Sequence, residues 1–391
     1  MRRTARARVP SAPVGGCDSL GTVPSASVLR TVGTPVVALL VLVLVWGRTL
    51  GPVLIPLVAI VLVGAVLVAV HHAEVVAHRV GEPYGSLILA IAVTVIEVGL
   101  ILSITASGGP QTASLARDTV FAAVMITCNG IVGLSLLVGA VRHHVVAFQA
   151  AGSGGAFAAV ITLATLCLVF PAFTTSTPGP TFAGTQLAFA AIVSVVLYGV
   201  YVFVQTVRHR DYFLPVSRDG GEDGDDGSEG DHEEHLEPPS NRTALISLGL
   251  LLVSLVAVVG LAKSESPAIE AGVTAAGAPL SVVGVAIALL VLLPETLAAV
   301  NAAARDRMQT SFNLAYGSAL ASIGLTIPAI AVASIFMDGP LLLGLSGTEI
   351  VLLAVTAVVG SLTVGLGSAM VLGGVVHLVI FAAFLFVAVV P

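Results

Sequence analysis

Residues 81–103 read GEPYGSLILAIAVTVIEVGLILS, an apolar run long enough to cross a bilayer with one ionisable residue, Glu97, deep inside it. A carboxylate near the bilayer centre costs roughly 2.5–3.5 kcal/mol even on lenient insertion scales, so it is retained where ions or protons pass. That cost restricts the chain to folds that wrap the carboxylate in protein. The second half of the chain carries a matching residue, Glu295 in LLPETLAAV.

Apolar residues make up 57% of the chain and charged residues 10%, against about 25% charged in a soluble domain. The composition therefore predicts an all-α polytopic membrane protein whose main partner is the lipid bilayer. The acids are not spread out: eleven of the 22 Asp and Glu fall between Asp211 and Glu237, and the remainder is mildly basic. No stretch suits nucleic acid. Cys17, Cys128 and Cys167 are scattered, with neither a disulfide framework nor zinc-site spacing.

At about 20 apolar residues per span, eleven transmembrane helices are predicted. They lie near 35–47, 51–70, 83–106, 119–141, 155–173, 183–206, 243–262, 274–301, 309–336, 345–362 and 367–390. Residues 1–33 read as a disordered cytoplasmic arm, basic and lacking the apolar run of a secretory signal. Residues 34–207 then hold a leading helix and a first transmembrane repeat, 208–242 an acidic cytoplasmic linker, and 243–391 a second repeat. The linker is Gly-rich and nearly free of apolar residues after Val216. It suits a solvated hinge, or a low-affinity collector of cations made pH-sensitive by His232 and His235. With the N-terminus cytoplasmic, thirteen of the 16 Lys and Arg fall inside and only Arg48, Arg117 and Lys263 outside. Basic residues favour cytoplasmic loops, so this bias supports the eleven-span, N-in topology.

Sliding the second half over the first by 191–198 residues reveals a weak repeat. VTVIEVGL at 93–100 lies over VLLPETLA at 291–298. DTVFAAVMITCNGIVGLSL from Asp118 lies over QTSFNLAYGSALASIGLTI from Gln309, with Thr119/Thr310, Phe121/Phe312, Gly133/Gly324 and Leu134/Leu325 identical. An odd number of crossings separates the copies, so they run in opposite directions. Inverted repeats with polar residues at the midplane are the architecture of secondary transporters. Each Glu lies about ten residues, or roughly 15 Å, from the end of its helix, so both fall near the membrane centre. Pro294 deprives the second helix of a backbone donor beside Glu295 and frees a carbonyl; repeat one offers the Thr94 hydroxyl instead.

GEPYGSLILAIAVTVIEV, the PETLAAVNAAARDRMQTSFNLAYGSALASIGLTIP block and the late GSAMVLGGVVHLVIFAAFLF resemble the calcium:cation antiporter superfamily. They are most similar to its bacterial ChaA-type branch of sodium–potassium/proton and calcium/proton antiporters. The likeness covers roughly residues 35–391. It implies one leading helix plus two inverted five-helix repeats in the plasma membrane. It also implies cation exchange against protons, with Glu97 and Glu295 as ligands; the ions are cargo and no resident cofactor is expected. The superfamily's calcium/proton exchangers carry GNATE- or GNAAE-like motifs at these glutamates, whereas this chain has VTVIE and LLPE. Gly317 and Ser318 match the family's Gly-Ser pair; Ile126 and Thr127 stand at that place in repeat one, near Asn129. Fewer asparagine oxygens leave Na+ and K+ open beside Ca2+.

Calcium takes six to eight oxygens at about 2.3–2.6 Å. Glu97 and Glu295, the hydroxyls of Thr94, Thr127 and Ser318, the amides of Asn129 and Asn313, and freed carbonyls are the candidate donors. In an apolar setting the carboxylates hold either a proton or a cation in preference to a bare charge, so the two compete for one site. Glu349 at the start of the tenth span and His377 within the last are candidates for a proton relay. Glu74 and Glu82 flank span ends and are expected in headgroup water. His71, His72, Glu74 and His78 raise an intramembrane metalloenzyme as an alternative, although their order is not HExxH. A cation channel is the other alternative; it needs a continuous polar pore, and the chain carries isolated carboxylates.

Overall fold

The computed structural model describes residues 26–81, 84–108, 112–215, 239–336 and 341–391. Most of the linker, the first part of the expected N-terminal arm, and Glu82 fall outside the described residues. The helices are α1 (Ala26–Val45), α2 (Leu54–Val80), α3 (Tyr84–Gly108), α4 (Leu115–Met125), α5 (Val132–His143), α6 (Ala150–Ala164) and α7 (Gly184–Phe203) in the first half. The second half has α8 (Asn241–Ala275), α9 (Ser281–Val291), α10 (Leu293–Ala304), α11 (Met308–Ala333), α12 (Gly347–Gly365) and α13 (Val371–Val389). Helices dominate because, in lipid, every backbone N–H and C=O must be satisfied within the segment. A π-helical turn, Ile126–Ile131, joins α4 to α5, and α9 meets α10 at a 53° bend.

Each of the eleven predicted spans has a helical counterpart. Among the described residues, nine helices are long and apolar enough to cross a membrane, the bent α9–α10 pair makes a tenth, and Thr31–Val45 is a shorter apolar helix. The helices differ from the expected bounds most at α1, α2, the eighth span and α8, which runs to Ala275 where its span was expected to end near 262. α1 begins at Ala26, inside the expected arm, where Val28 and Leu29 continue its apolar pattern. His72 Nε2 lies 3.0 Å from Thr31 O and ties α2 to α1. α2 continues to Val80 and stops at Gly81, whose φ of 76° suits a residue without a side chain. The eighth span, expected as one helix, is broken at Leu292.

Alternate connections gather on opposite faces. On one face Arg79 Nε donates to Asn241 Oδ1 (2.7 Å), Arg142 donates to Ala304 O (3.4 Å), and His143 Nε2 lies 3.3 Å from the same carbonyl. There too a short strand β1 (Val146–Ala147) pairs antiparallel with β2 (Ser368–Ala369). This is termed the basic face. On the far face the N–H of Leu342 donates to Ala113 O, and those of Leu343 and Gly344 to Pro180 O.

The inverted repeat is visible in the packing. The repeat-equivalent glycines Gly133 and Gly324 each accept an equivalent helix at close range. A Cβ on Gly133 would lie 3.0 Å from Leu378 N and 3.1 Å from Gly374 O of α13. On Gly324 it would lie 2.7 Å from Tyr198 Cβ of α7. Gly324→Val should therefore cost about 1–3 kcal/mol by overpacking, read as a lowered melting temperature of the purified protein in detergent. A wild-type melting temperature would mean that α7 and α11 stand further apart.

Candidate functional site

The inward-facing polar residues of α3, α7, α9–α10 and α11 meet around a cavity of about 150 Å³ that holds both Glu97 and Glu295 on its wall. It runs from Glu97 and Ser322 at mid-depth to Asn313 and Gln205, which lie toward the basic ends of α11 and α7. Thr94 and Ser318 also line it. Five of the residues expected from sequence, Glu97, Glu295, Thr94, Asn313 and Ser318, are thus brought together.

The two carboxylates are held differently. Glu97 is 3% exposed, on a continuous helix. Ser322 Oγ donates to its Oε1 (2.9 Å) and lies 3.1 Å from its Oε2, and Thr326 Oγ1 donates to Oε2 (3.1 Å). Hydroxyl donors to a carboxylate are the inexpensive way to keep one out of water. Glu295 stands in the first turn of α10, just after the break, with Pro294 where a missing N–H costs nothing. A carboxylate there is favoured by the positive end of the helix dipole. Its Oε2 is buried and has no hydrogen-bond partner in the protein. The bend thus does more than the freed carbonyl expected from Pro294: it turns one transmembrane segment into two half-helices with a carboxylate at the junction.

Thr127 and Asn129 do not line the cavity. Both sit in the π-helical turn. Thr127 returns its hydroxyl to Ala123 O (2.7 Å), a usual local outlet for a helical threonine. Asn129 Nδ2 donates to Thr356 Oγ1 (2.9 Å), and its Oδ1 lies 3.1 Å from His377 Nδ1. His377 Nε2 lies 3.0 Å from Thr363 Oγ1, so His377 and Asn129 form a buried network between the turn, α12 and α13. Glu349 forms a capping box with Ser346 at the start of α12, its Oε2 accepting from Ser346 N at 2.7 Å. Asn313 reaches the cavity wall with its polar atoms engaged, Nδ2 donating to Phe213 O (2.7 Å) and Oδ1 accepting from Gln309 (2.9 Å).

Sequence reasoning missed Ser322, Thr326, Tyr201 and Gln205. Ser318, Ser322 and Thr326 recur at four-residue spacing, one face of a helix, and that signal was available in SALASIGLT. Tyr201 in the last turn of α7 and Gln205 in the π-helical turn that follows it (Val204–Arg208) share the same spacing; the Tyr201 hydroxyl is buried, without a partner, at the cavity wall. Glu74 is exposed on α2. Among the described residues no three His, Cys, Asp or Glu side chains are grouped to hold a metal ion, those of the His71–His78 segment included.

The sodium/calcium exchanger protein family matches residues 50–207 and 246–390. The relative y4hA of Sinorhizobium fredii, a candidate ionic transporter, is 46% identical over 343 residues, covering 87% of this chain and 89% of its own. The sodium-potassium/proton antiporter ChaA of Escherichia coli is 35% identical over 356 residues, covering 90% of this chain and 93% of its own. In fold, the chain is similar to native YfkE, with a TM-score of 0.66 at 15% identity over 92% of this chain and 99% of that one. The H+/Ca2+ exchanger CAX has a TM-score of 0.66 at 16% identity over 92% and 87%. These relatives are transporters, not enzymes. With the two-carboxylate cavity and the inverted repeats, the matches establish that the chain is a multi-pass membrane transporter for small inorganic cations and belongs to the sodium/calcium exchanger family.

Proposed function

We propose that the chain is a secondary active antiporter of the plasma membrane that exports Na+, K+ or Ca2+ in exchange for H+, with Glu97 and Glu295 as the shared site. The observation that carries this reading is the meeting of two repeat-equivalent carboxylates on one mid-depth cavity, with Glu295 Oε2 left without a protein partner. The 35% identity to a sodium-potassium/proton antiporter supports the choice of protons as counter-ion. By the distribution of Lys and Arg the basic face is cytoplasmic, as is the N-terminus, so the cavity extends from Glu97 toward the cytoplasm.

A cation entering from that side meets Glu295, the hydroxyls of Thr94, Ser318 and Tyr201, and the Gln205 amide on the way to Glu97. The proton on a carboxylate and the incoming cation neutralise the same charge, so one displaces the other. A neutralised site crosses the apolar midplane more cheaply than a charged one, which couples the change of access to occupancy. Exchange then needs no further machinery.

Glu97→Gln and Glu295→Gln should each reduce pH-gradient-driven cation flux in proteoliposomes to background while leaving insertion and melting temperature near wild type. Retained Na+, K+ and Ca2+ exchange in both variants would remove these residues from the site. Competition also sets a pH dependence. The half-saturating cation concentration should rise as pH falls on the cation-binding side, by up to about tenfold per unit for each proton displaced. A value independent of pH would exclude a shared site.

A further inference from the structure

Glu97 is held by the far repeat: its hydroxyl partners Ser322 and Thr326 lie on α11, and α11 is the inverted copy of the α4–α5 segment. The register of that copy is set by Gly324 and Gly133, each in close contact with the matching helix, α7 or α13. Two residues beyond Gly324 stands Thr326; two beyond Gly133 stands Ser135. The counterpart of Ser322 is Ile131, which has no hydroxyl.

Ser135 faces the helix that carries Glu295. One turn on from it, a Cβ on Gly139 would lie 3.5 Å from Ala303 O of α10. Residues four apart share a helix face, so Ser135 is turned toward α10 as well. α5 and α10 run in the same direction, since Arg142 and His143 at the C-terminal end of α5 meet Ala304 at the C-terminal end of α10. Stepping back two turns from Gly139 and Ala303 places Ile131 level with Glu295, and Ser135 one turn closer to the basic face. In this structure Ser135 is fully buried with no partner for its hydroxyl, and Glu295 Oε2 is buried with none either. Buried polar atoms without partners are uncommon and call for a reason.

We infer that Ser135 is the hydroxyl that receives Glu295 in the oppositely facing state, as Thr326 receives Glu97 in this one. Exchanging the conformations of the two repeats releases Glu97 from α11 and brings Glu295 onto α5. Each state thus satisfies one carboxylate and leaves the other open to a cation. Because Ile131 has no hydroxyl, the opposite state holds its carboxylate by one donor where this state uses two. Ser135 is a positioning residue, and its role rests on the reading of Glu97 and Glu295 as the exchange pair.

Everted and right-side-out vesicles allow the half-saturating cation concentration to be measured from each face. Each value carries the population of the state open to that face, so their ratio follows the equilibrium between the two states. Ser135→Ala should lower the ratio of the basic-face value to the far-face value by about threefold or more, within the range of one lost hydrogen bond. Thr326→Ala should raise it, and Ser135→Thr, which restores a hydroxyl, should return it to wild type. A hydroxyl with only a packing role would leave the ratio untouched. An unchanged or raised ratio in Ser135→Ala overturns the inference, whatever Thr326→Ala does. Failure of the parent reading is seen separately, as retained exchange in Glu295→Gln.

Discussion

A carboxylate in the middle of a membrane must be given donors, a proton or a cation, and the architecture follows from how Glu97 meets that requirement. Its donors come from Ser322 and Thr326, more than 200 residues further along the chain. The contact therefore couples the two repeats at the level where the site lies. An apolar neighbour in place of those hydroxyls would leave the charge uncompensated, at a cost of several kcal/mol. The hydrogen bonds make the buried glutamate tolerable and tie its helix to the opposite half of the fold.

Glu295 meets the same requirement by another route. The break at Leu292 places it at a helix start, where unpaired N–H groups and the dipole favour negative charge. A continuous helix on one side and a broken one on the other give two carboxylates in unlike surroundings, although their sequence positions are equivalent. One is closed in by side chains and the other retains a free oxygen at the cavity wall.

Polar residues of both repeats are arranged for rigidity around the π-helical turn of the first. Asn129, His377, Thr356 and Thr363 satisfy one another around the π-helical turn. Gly133 and Gly374 let α5 and α13 approach to backbone contact nearby. A satisfied buried network and close helix packing hold this part of the fold in place.

The apolar helical segments, the alternation of faces and the repeat equivalence of Glu97 and Glu295 were legible in the chain itself, because lipid imposes a length, a hydropathy and a charge rule on each segment separately. Thr94 was legible as well, as a hydroxyl one turn from Glu97, and Ser318 through the resemblance to the family's Gly-Ser pair. Whether a polar side chain reaches the cavity was not, since that depends on helix rotation and on competing partners. Thr127 and Asn129 have the right chemistry and nearly the right position, yet the π-helical turn directs one to its own backbone and the other to His377. Ser322 and Thr326 carry a plain four-residue pattern, but only the crossing of α3 against α11 assigns that face to Glu97. The chain by itself determined the transmembrane segments and the presence of two buried carboxylates at equivalent places of its repeats, which follow from local transfer energies and the repeat pattern. The tertiary structure decided which oxygens surround that pair and which carboxylate is satisfied, because these are contacts between helices distant in sequence.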